Sequence, residues 1–296
     1  RQSSTGIYDI AVIASLRILE HLNLNNTPVQ DISALKNNHR LRFLDLEGTE
    51  VSSLNPLTFV SNLEIVFCDG LDPDPEEITR IYDANPNVTL IYQTERLNDW
   101  WKSLNRAWKD VFRDQLLMDS PPAKLQLQRL IDLTELDISN LRGVDNLEPL
   151  RLFHRLSVLK MNDIQIGDLT PLANLNNLRE LYFSNNPVNS LEPIASLSQI
   201  TVLDCSNTQV RNLNDMSNLT NIQVLNVSGT QIRNLRPLRE MHSLRQLDCY
   251  NTRIRGLRPL ENLESLELLR CYNTPLWPWA LKRFQEAQPG CEVVYY

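Results

Sequence analysis

No stretch of the chain is apolar for the roughly 18 residues that a membrane span needs, and its opening residues, Arg-Gln-Ser-Ser-Thr-Gly, lead into no secretion-signal core. Histidine is scarce, and His21, His39, His154 and His242 are scattered. The motifs His-Glu-x-x-His, Gly-x-Ser-x-Gly, a phosphate-binding loop and Cys-x-x-Cys are all missing. The chain is therefore read as non-enzymatic, with no catalytic residue, no cofactor and no metal. Its five cysteines are odd in number and do not form a small disulfide framework. Cys68, Cys205, Cys249 and Cys271 alternate with core leucines and read as buried thiols, while Cys291 sits in the last turn. A net charge of −7 gives no general attraction to phosphates, so nucleic acid is not an expected partner. With 42% hydrophobic and 22% charged residues over 296 positions, the composition is that of a soluble folded chain long enough for two domains. The compartment stays open between cytoplasm and export.

What the chain does have is a 22-residue period: Leu156, Leu178, Ile200, Ile222, Leu244 and Leu266 each open the pattern apolar-x-x-apolar-x-apolar. The end of that pattern alternates as a strand does, so Leu225 and Val227 are expected to point inward, with Val224, Asn226 and Ser228 on the other face. One short strand per unit predicts a parallel sheet. An Asn-Thr or Gly-Thr pair then turns the chain, and Thr208, Thr230, Thr252 and Thr274 are placed to hydrogen-bond the turn. The chain returns through V/I-x-x-L-x-P-L, where Pro149, Pro171, Pro193, Pro237 and Pro259 forbid a sheet and suit short helical or 3₁₀ turns. The predicted fold is an α/β right-handed solenoid with parallel strands on the concave face and helical turns on the convex face.

The same pattern runs earlier from Leu19, Leu41 and Leu63 and stops after Leu71. Thr5, Ile7, Ile10 and Ile13 align with Thr27, Val29, Ile32 and Leu35, so the chain is expected to open inside a repeat, as a piece of a longer protein or with an upstream strand lost. That end is expected to be an uncapped apolar edge. Residues 78–93 align with 281–296, placing Leu90 on Val293, which predicts that two arrays are closed by the same helix, proline turn and strand. Helical spacing over 97–117 predicts one helix whose three tryptophans, Trp100, Trp101 and Trp108, cover the open edge of the second array; the alternative is a partner-binding or membrane-surface helix, with the mixed charge of its polar half counting against the membrane. The expected domains are 1–95, a truncated first array with its cap; 96–124, a helical linker or N-terminal cap; and 125–296, the second array with its cap.

Units such as LRQLDCYNTRIRGLRPLENLES resemble the 22-residue class of leucine-rich repeats found in internalins and in phosphatase regulatory subunits, and the ending PGCEVVYY and the paired tryptophans are similar to bacterial proteins of this kind. The resemblance implies protein–protein interaction and carries over no ligand residues.

Outward strand positions form ladders with one rung per repeat. The middle ladder runs through Asn23, Asp45 and Phe67, then Asp137, Lys160, Tyr182, Asp204, Asn226, Asp248 and Arg270. The next includes Glu47, Tyr250 and Tyr272, and Phe43 lies beside the first. Aromatics among charges suit a protein-binding surface, so Phe43, Asp45, Glu47, Phe67, Asp137, Lys160, Tyr182, Asp204, Asp248, Tyr250, Arg270 and Tyr272 are the candidate site. The expected function is a monomeric scaffold binding a protein partner on the concave face; the alternative is a structural, spacer or adhesin-like segment of a larger cell-surface or effector protein. A second stripe, Arg211, Arg233 and Arg255 with Arg236 and Arg258 beside it, would suit an acidic partner.

Overall fold

The computed structural model describes residues 6–117, 119 and 121–295. The chain divides into two compact units, residues 1–104 with 112–130 and residues 105–111 with 131–296.

The first unit contains a four-stranded parallel sheet of β1 (His21–Asn23), β2 (Phe43–Asp45), β3 (Ile65–Phe67) and β4 (Thr89–Ile91), in that order. The second contains an eight-stranded parallel sheet of β5 (Glu135–Asp137), β6 (Val158–Lys160), β7 (Glu180–Tyr182), β8 (Val202–Asp204), β9 (Val224–Asn226), β10 (Gln246–Asp248), β11 (Leu268–Arg270) and β12 (Glu292–Val294), also in chain order. Strands in chain order, each paired with the next, define a solenoid. In the unit that begins at Ile222, the side chains of Ile222, Leu225, Val227, Ile232, Leu235 and Leu238 are fully buried. Removing each from water contributes roughly 1.5–3 kcal/mol, and no repeat can bury this set without neighbours.

The turn chemistry follows the expected grammar. The residue before the turn threonine adopts the left-handed conformation, with φ near +55° at Asn207 and Asn251 and +69° at Gly229, where Asn and Gly are tolerated best. The Thr hydroxyl then donates to the carbonyl three residues back: Thr208 to Cys205 at 2.7 Å, Thr230 to Val227 at 2.6 Å and Thr252 to Cys249 at 2.6 Å. Pro149, Pro171, Pro193, Pro237 and Pro259 each stand in the first turn of a 3₁₀ segment, where their missing N–H is not needed.

Each array ends as the alignment predicts. Helix α1 (Pro75–Ala84) leads to β4, where Leu90 pairs with Val66 of the last repeat. In the second unit a helix over Pro278–Ala287 leads to β12, where Val293 pairs with Leu269. In the first closure the buried carboxylate of Glu77 accepts from Ser53 Oγ at 2.6 Å, Asn55 Nδ2 at 2.7 Å and the Leu54 N–H at 3.1 Å, so the last return segment is held by a helix side chain.

Some expectations are corrected. The single helix over 97–117 is two, α2 (Thr94–Ser103) and α3 (Arg106–Leu116), because Leu104 is extended and Asn105 Oδ1 accepts from the Trp108 N–H at 3.0 Å, starting a new helix. The short helical stretch that the sequence places over 124–131 is present as α4 (Lys124–Ile131), which precedes β5, and the closing helix of the second unit is α5 (Pro278–Ala287). Of the three tryptophans, Trp108 lies in the second unit, its indole N–H donating to the Asn146 carbonyl at 3.1 Å. Trp100 and Trp101 lie in the first, with Trp100 packed on Phe112 at 5.6 Å. Ser228 does not face solvent: it is 1% exposed, its hydroxyl on Asn226 Oδ1 at 2.7 Å. Thr5 lies outside the described residues; Ile10 and Ile13 are buried like their counterparts Ile32 and Leu35, but Ile7 is exposed where its counterpart Val29 is buried, and Tyr8, Val12 and Ile18 are exposed as well.

Candidate functional site

In the second unit, strand register puts the third residues of β5 to β11 side by side: Asp137 with Lys160, Lys160 with Tyr182, Tyr182 with Asp204, Asp204 with Asn226, Asn226 with Asp248, and Asp248 with Arg270. Parallel pairing spaces these rungs about 4.8 Å apart.

The rungs interact along the ladder. Lys160 Nζ lies 5.7 Å over the Tyr182 ring, and the Tyr182 hydroxyl donates to Glu180 Oε2 at 2.8 Å. Partial burial, aided by the Glu180 carboxylate, pushes the Tyr182 phenol up to about 12. Asn226 Nδ2 donates to Asp204 at 3.1 Å, and Arg270 Nη1 donates to both oxygens of Asp248, at 2.9 and 3.1 Å. Two residues on, Tyr250 and Tyr272 stack face to face with centroids 4.4 Å apart and planes 9° from parallel. Burial and the neighbouring Tyr250 raise the Tyr272 pKa.

The acids have a second task. Asp137 Oδ1 accepts from the Ser139 N–H at 2.9 Å, Asp204 Oδ1 from Ser206 at 2.9 Å and Asn226 Oδ1 from Ser228 at 3.1 Å. A short polar side chain two residues before the turn caps it, so Asp or Asn at this rung is chosen by the backbone. Lys160, Tyr182, Tyr250, Arg270 and Tyr272 carry no such duty and are exposed or half-buried. At the first strand position, where Phe43 is the one candidate, two further residues act on the middle rung: Glu180 fixes Tyr182 and Gln246 donates to Asp248 at 3.2 Å. Their place two residues before the middle rung was the available signal.

In the first unit Phe43 stacks on His21 at 4.5 Å, with the Arg42 guanidinium 5.4 Å over its face. Glu47 and Asp69 are bridged by Lys124 Nζ at 3.1 and 3.2 Å, and Asp69 also takes the Thr94 N–H at 2.9 Å and the Thr94 hydroxyl. Burial draws the Lys124 ammonium down, but the two carboxylates outweigh it and its pKa is raised. Asp45 caps Glu47 at 3.0 Å and lies 3.4 Å from Asn25 Nδ2; Phe67 is half-buried on β3. The twelve candidates thus form two groups, Phe43, Asp45, Glu47 and Phe67 in one unit and the other eight in the second.

The thiols are where packing places them. Burial pushes Cys68 and Cys271 up to about 12 and raises Cys205 and Cys249 well above the usual thiol range, while half-buried Cys291 reaches about 11. At mild alkaline pH a disulfide-exchange reagent should therefore label the native protein at Cys291 alone, slowly, and all five cysteines after unfolding. Rapid native labelling of a second thiol would overturn the inward assignment. Among the described residues no three His, Cys, Asp or Glu side chains cluster to hold a metal, and no helix is long and apolar enough to cross a membrane.

A repeat every 22 residues, a parallel strand on each repeat and a 3₁₀ return define the class: this is a leucine-rich-repeat solenoid. The family model for leucine-rich repeats, in two copies, matches residues 176–218. Among solved structures, internalin C2 of Listeria monocytogenes is similar at a TM-score of 0.53 and 20% identity, over 68% of this chain and 96% of that one. An internalin F from the same organism gives 0.47 and 19%, over 95% and 75%, and a leucine-rich-repeat protein of Leptospira interrogans gives 0.49 and 19%, over 96% and 86%. No curated protein matches. The likeness to internalin C2 shows the leucine-rich-repeat solenoid fold and extends no further.

Proposed function

We propose that the chain is a non-catalytic, monomeric protein-binding scaffold that takes its partner on the concave ladder of the second unit. The observation that carries this reading is the Tyr250–Tyr272 stack beside the Arg270–Asp248 pair. Rigid aromatics and arginine on adjacent rungs lose little conformational entropy on association and are the residue types on which interfaces concentrate their energy. Lys160 and Tyr182 extend the surface four and three rungs away.

The test is capture with the intact chain. A benzophenone photocrosslinker at position 250 should trap one partner species, and the double variant Tyr250→Ala, Asp204→Arg should weaken its capture by about a hundredfold, the loss expected when two central contacts go. A crosslinker at Arg239, on an exposed return segment, should trap nothing above background. Undiminished capture by the double variant would count against this face, and a chain that serves as a spacer would yield no position-specific adduct.

A further inference from the structure

The return side of the second unit carries a cationic strip for which the concave reading has no use. In each repeat the segment after the turn threonine alternates: Val210, Ile232 and Ile254 are buried, whereas Arg211, Arg233 and Arg255 are exposed. Backbone bonds lock these segments in register, from the Gln231 N–H to the Val210 carbonyl and from the Arg253 N–H to the Ile232 carbonyl, both at 3.0 Å. The backbones of the three arginines therefore stand on successive rungs roughly one strand spacing, about 4.8 Å, apart. Arg236 and Arg258 open the 3₁₀ turns beside them, and Arg253 lies two residues before Arg255.

Like charges stacked this closely repel, and a structural role would pair them with acids. They are not paired. Among the described residues none of the six has a carboxylate at ion-pair distance, although neighbouring arginines do: Arg239 with Glu240, Arg245 with Glu267 and Arg283 with Glu261. Over 209–216, 231–238 and 253–260 the single carboxylate is Asp215, against six arginines. The next rung is aromatic. Trp277 stands 22 residues after Arg255, its N–H 3.5 Å from the Arg255 carbonyl, and its side chain is 52% exposed, with Trp279 at 63% close by. Exposed tryptophans at the end of an unpaired arginine ladder are a large apolar surface left open beside concentrated positive charge.

We infer that this strip is a second binding surface, for an extended acidic polypeptide segment that lays Asp or Glu side chains along the arginine rungs and an apolar side chain on Trp277. Guanidinium donors match carboxylate geometry in pairs, and long Arg side chains absorb the mismatch between rung spacing and the rise of an extended chain. The four rungs span about 15 Å, the length of roughly four or five extended residues. A polyphosphate is the poorer occupant, because the strip is only three cationic rungs long and ends on exposed tryptophans, which an apolar side chain can cover and a phosphate cannot.

The experiment uses the intact chain and a fluorescein-labelled peptide of about ten residues, mostly Glu with one Leu, read by fluorescence anisotropy. The peptide should bind, and raising NaCl from about 50 to about 300 mM should weaken it severalfold. The triple variant Arg211→Glu, Arg233→Glu, Arg255→Glu should weaken binding at least about tenfold at an unchanged melting temperature, since all three side chains are exposed. Arg→Gln at the same positions should give a smaller loss. Trp277→Ala should weaken the Leu-containing peptide more than an all-Glu one. The concave double variant should bind it as the parent does, which keeps this result separate from the reading above. Equal affinity of parent and triple variant, or tighter binding of an oligothymidylate of similar charge than of the peptide, would overturn the inference.

Discussion

Leu225→Asp should unfold the second array. Leu225 is the middle residue of β9, 0% exposed, paired on one side with Leu203 and on the other with Leu247. A carboxylate there has leucines above and below and no partner, so it must lose its hydration or its charge. Either route costs more than about 4 kcal/mol, the range reached when an unpaired charge is buried. That is a large fraction of the roughly 5–15 kcal/mol that a domain holds. In a solenoid each repeat is stabilised by its neighbours, so losing one weakens the interfaces on both sides. Leu225→Ala, which leaves a cavity and no charge, should cost about 3–5 kcal/mol and stay folded. Urea melts followed by circular dichroism would separate the two, and a parent-like midpoint for the Asp variant would refute the inward placement.

Asn186→Ala should be the next most damaging change, by about 3 kcal/mol or more. Asn186 occupies the turn-threonine position, 22 residues before Thr208, and is 2% exposed. Its amide donates to the carbonyls of Met161 at 2.8 Å, Phe183 at 3.1 Å and Ser184 at 3.1 Å, and its oxygen accepts from the N–H groups of Ile164 at 3.3 Å and Ile166 at 3.0 Å. The preceding repeat has Ile164 at this position and so no polar side chain of its own for the turn, which passes through positive φ at both Asp163 and Gln165. Asn186 thus satisfies the neighbour's turn as well as its own. Truncation strands several buried backbone groups, each costing about 1–3 kcal/mol. Asn186→Thr should recover part of the loss through the bond to the Phe183 carbonyl that threonine makes elsewhere. Faster hydrogen exchange at the Ile164 and Ile166 amides should accompany both variants; a change below about 1 kcal/mol in Asn186→Ala would show the turn to be held by other means.

Much of this was legible because repeats compare a sequence with itself. Leu225, Val227 and Thr230 could be assigned from their counterparts 22 residues away, and the match of residues 78–93 to 281–296 made Leu90 and Val293 equivalent residues of two final strands. The candidate site was legible as ladders of types, less so as chemistry. Asp204 and Asp137 read as binding acids, and both are also turn caps, because the demand of an exposed N–H two residues on is local and unrelated to any partner. Glu47 read as an open ladder position, and Lys124, 77 residues later, occupies it. No periodicity reaches across that interval.

The sequence by itself determined the period, the in-and-out alternation, the return turns at the prolines and the two closures, since each follows from short-range sterics and from burying one face per repeat. The tertiary structure decided what side chains do where the repeats differ. It broke the tryptophan helix at Leu104 and used Asn186 to repair a neighbour's turn. It also set Tyr250 on Tyr272 and, among the described residues, left the six arginines of the strip with no carboxylate at ion-pair distance. Those outcomes depend on which groups stacking brings within hydrogen-bond or ring-contact distance, a matter of three-dimensional spacing that spacing along the chain encodes only where repeats are alike.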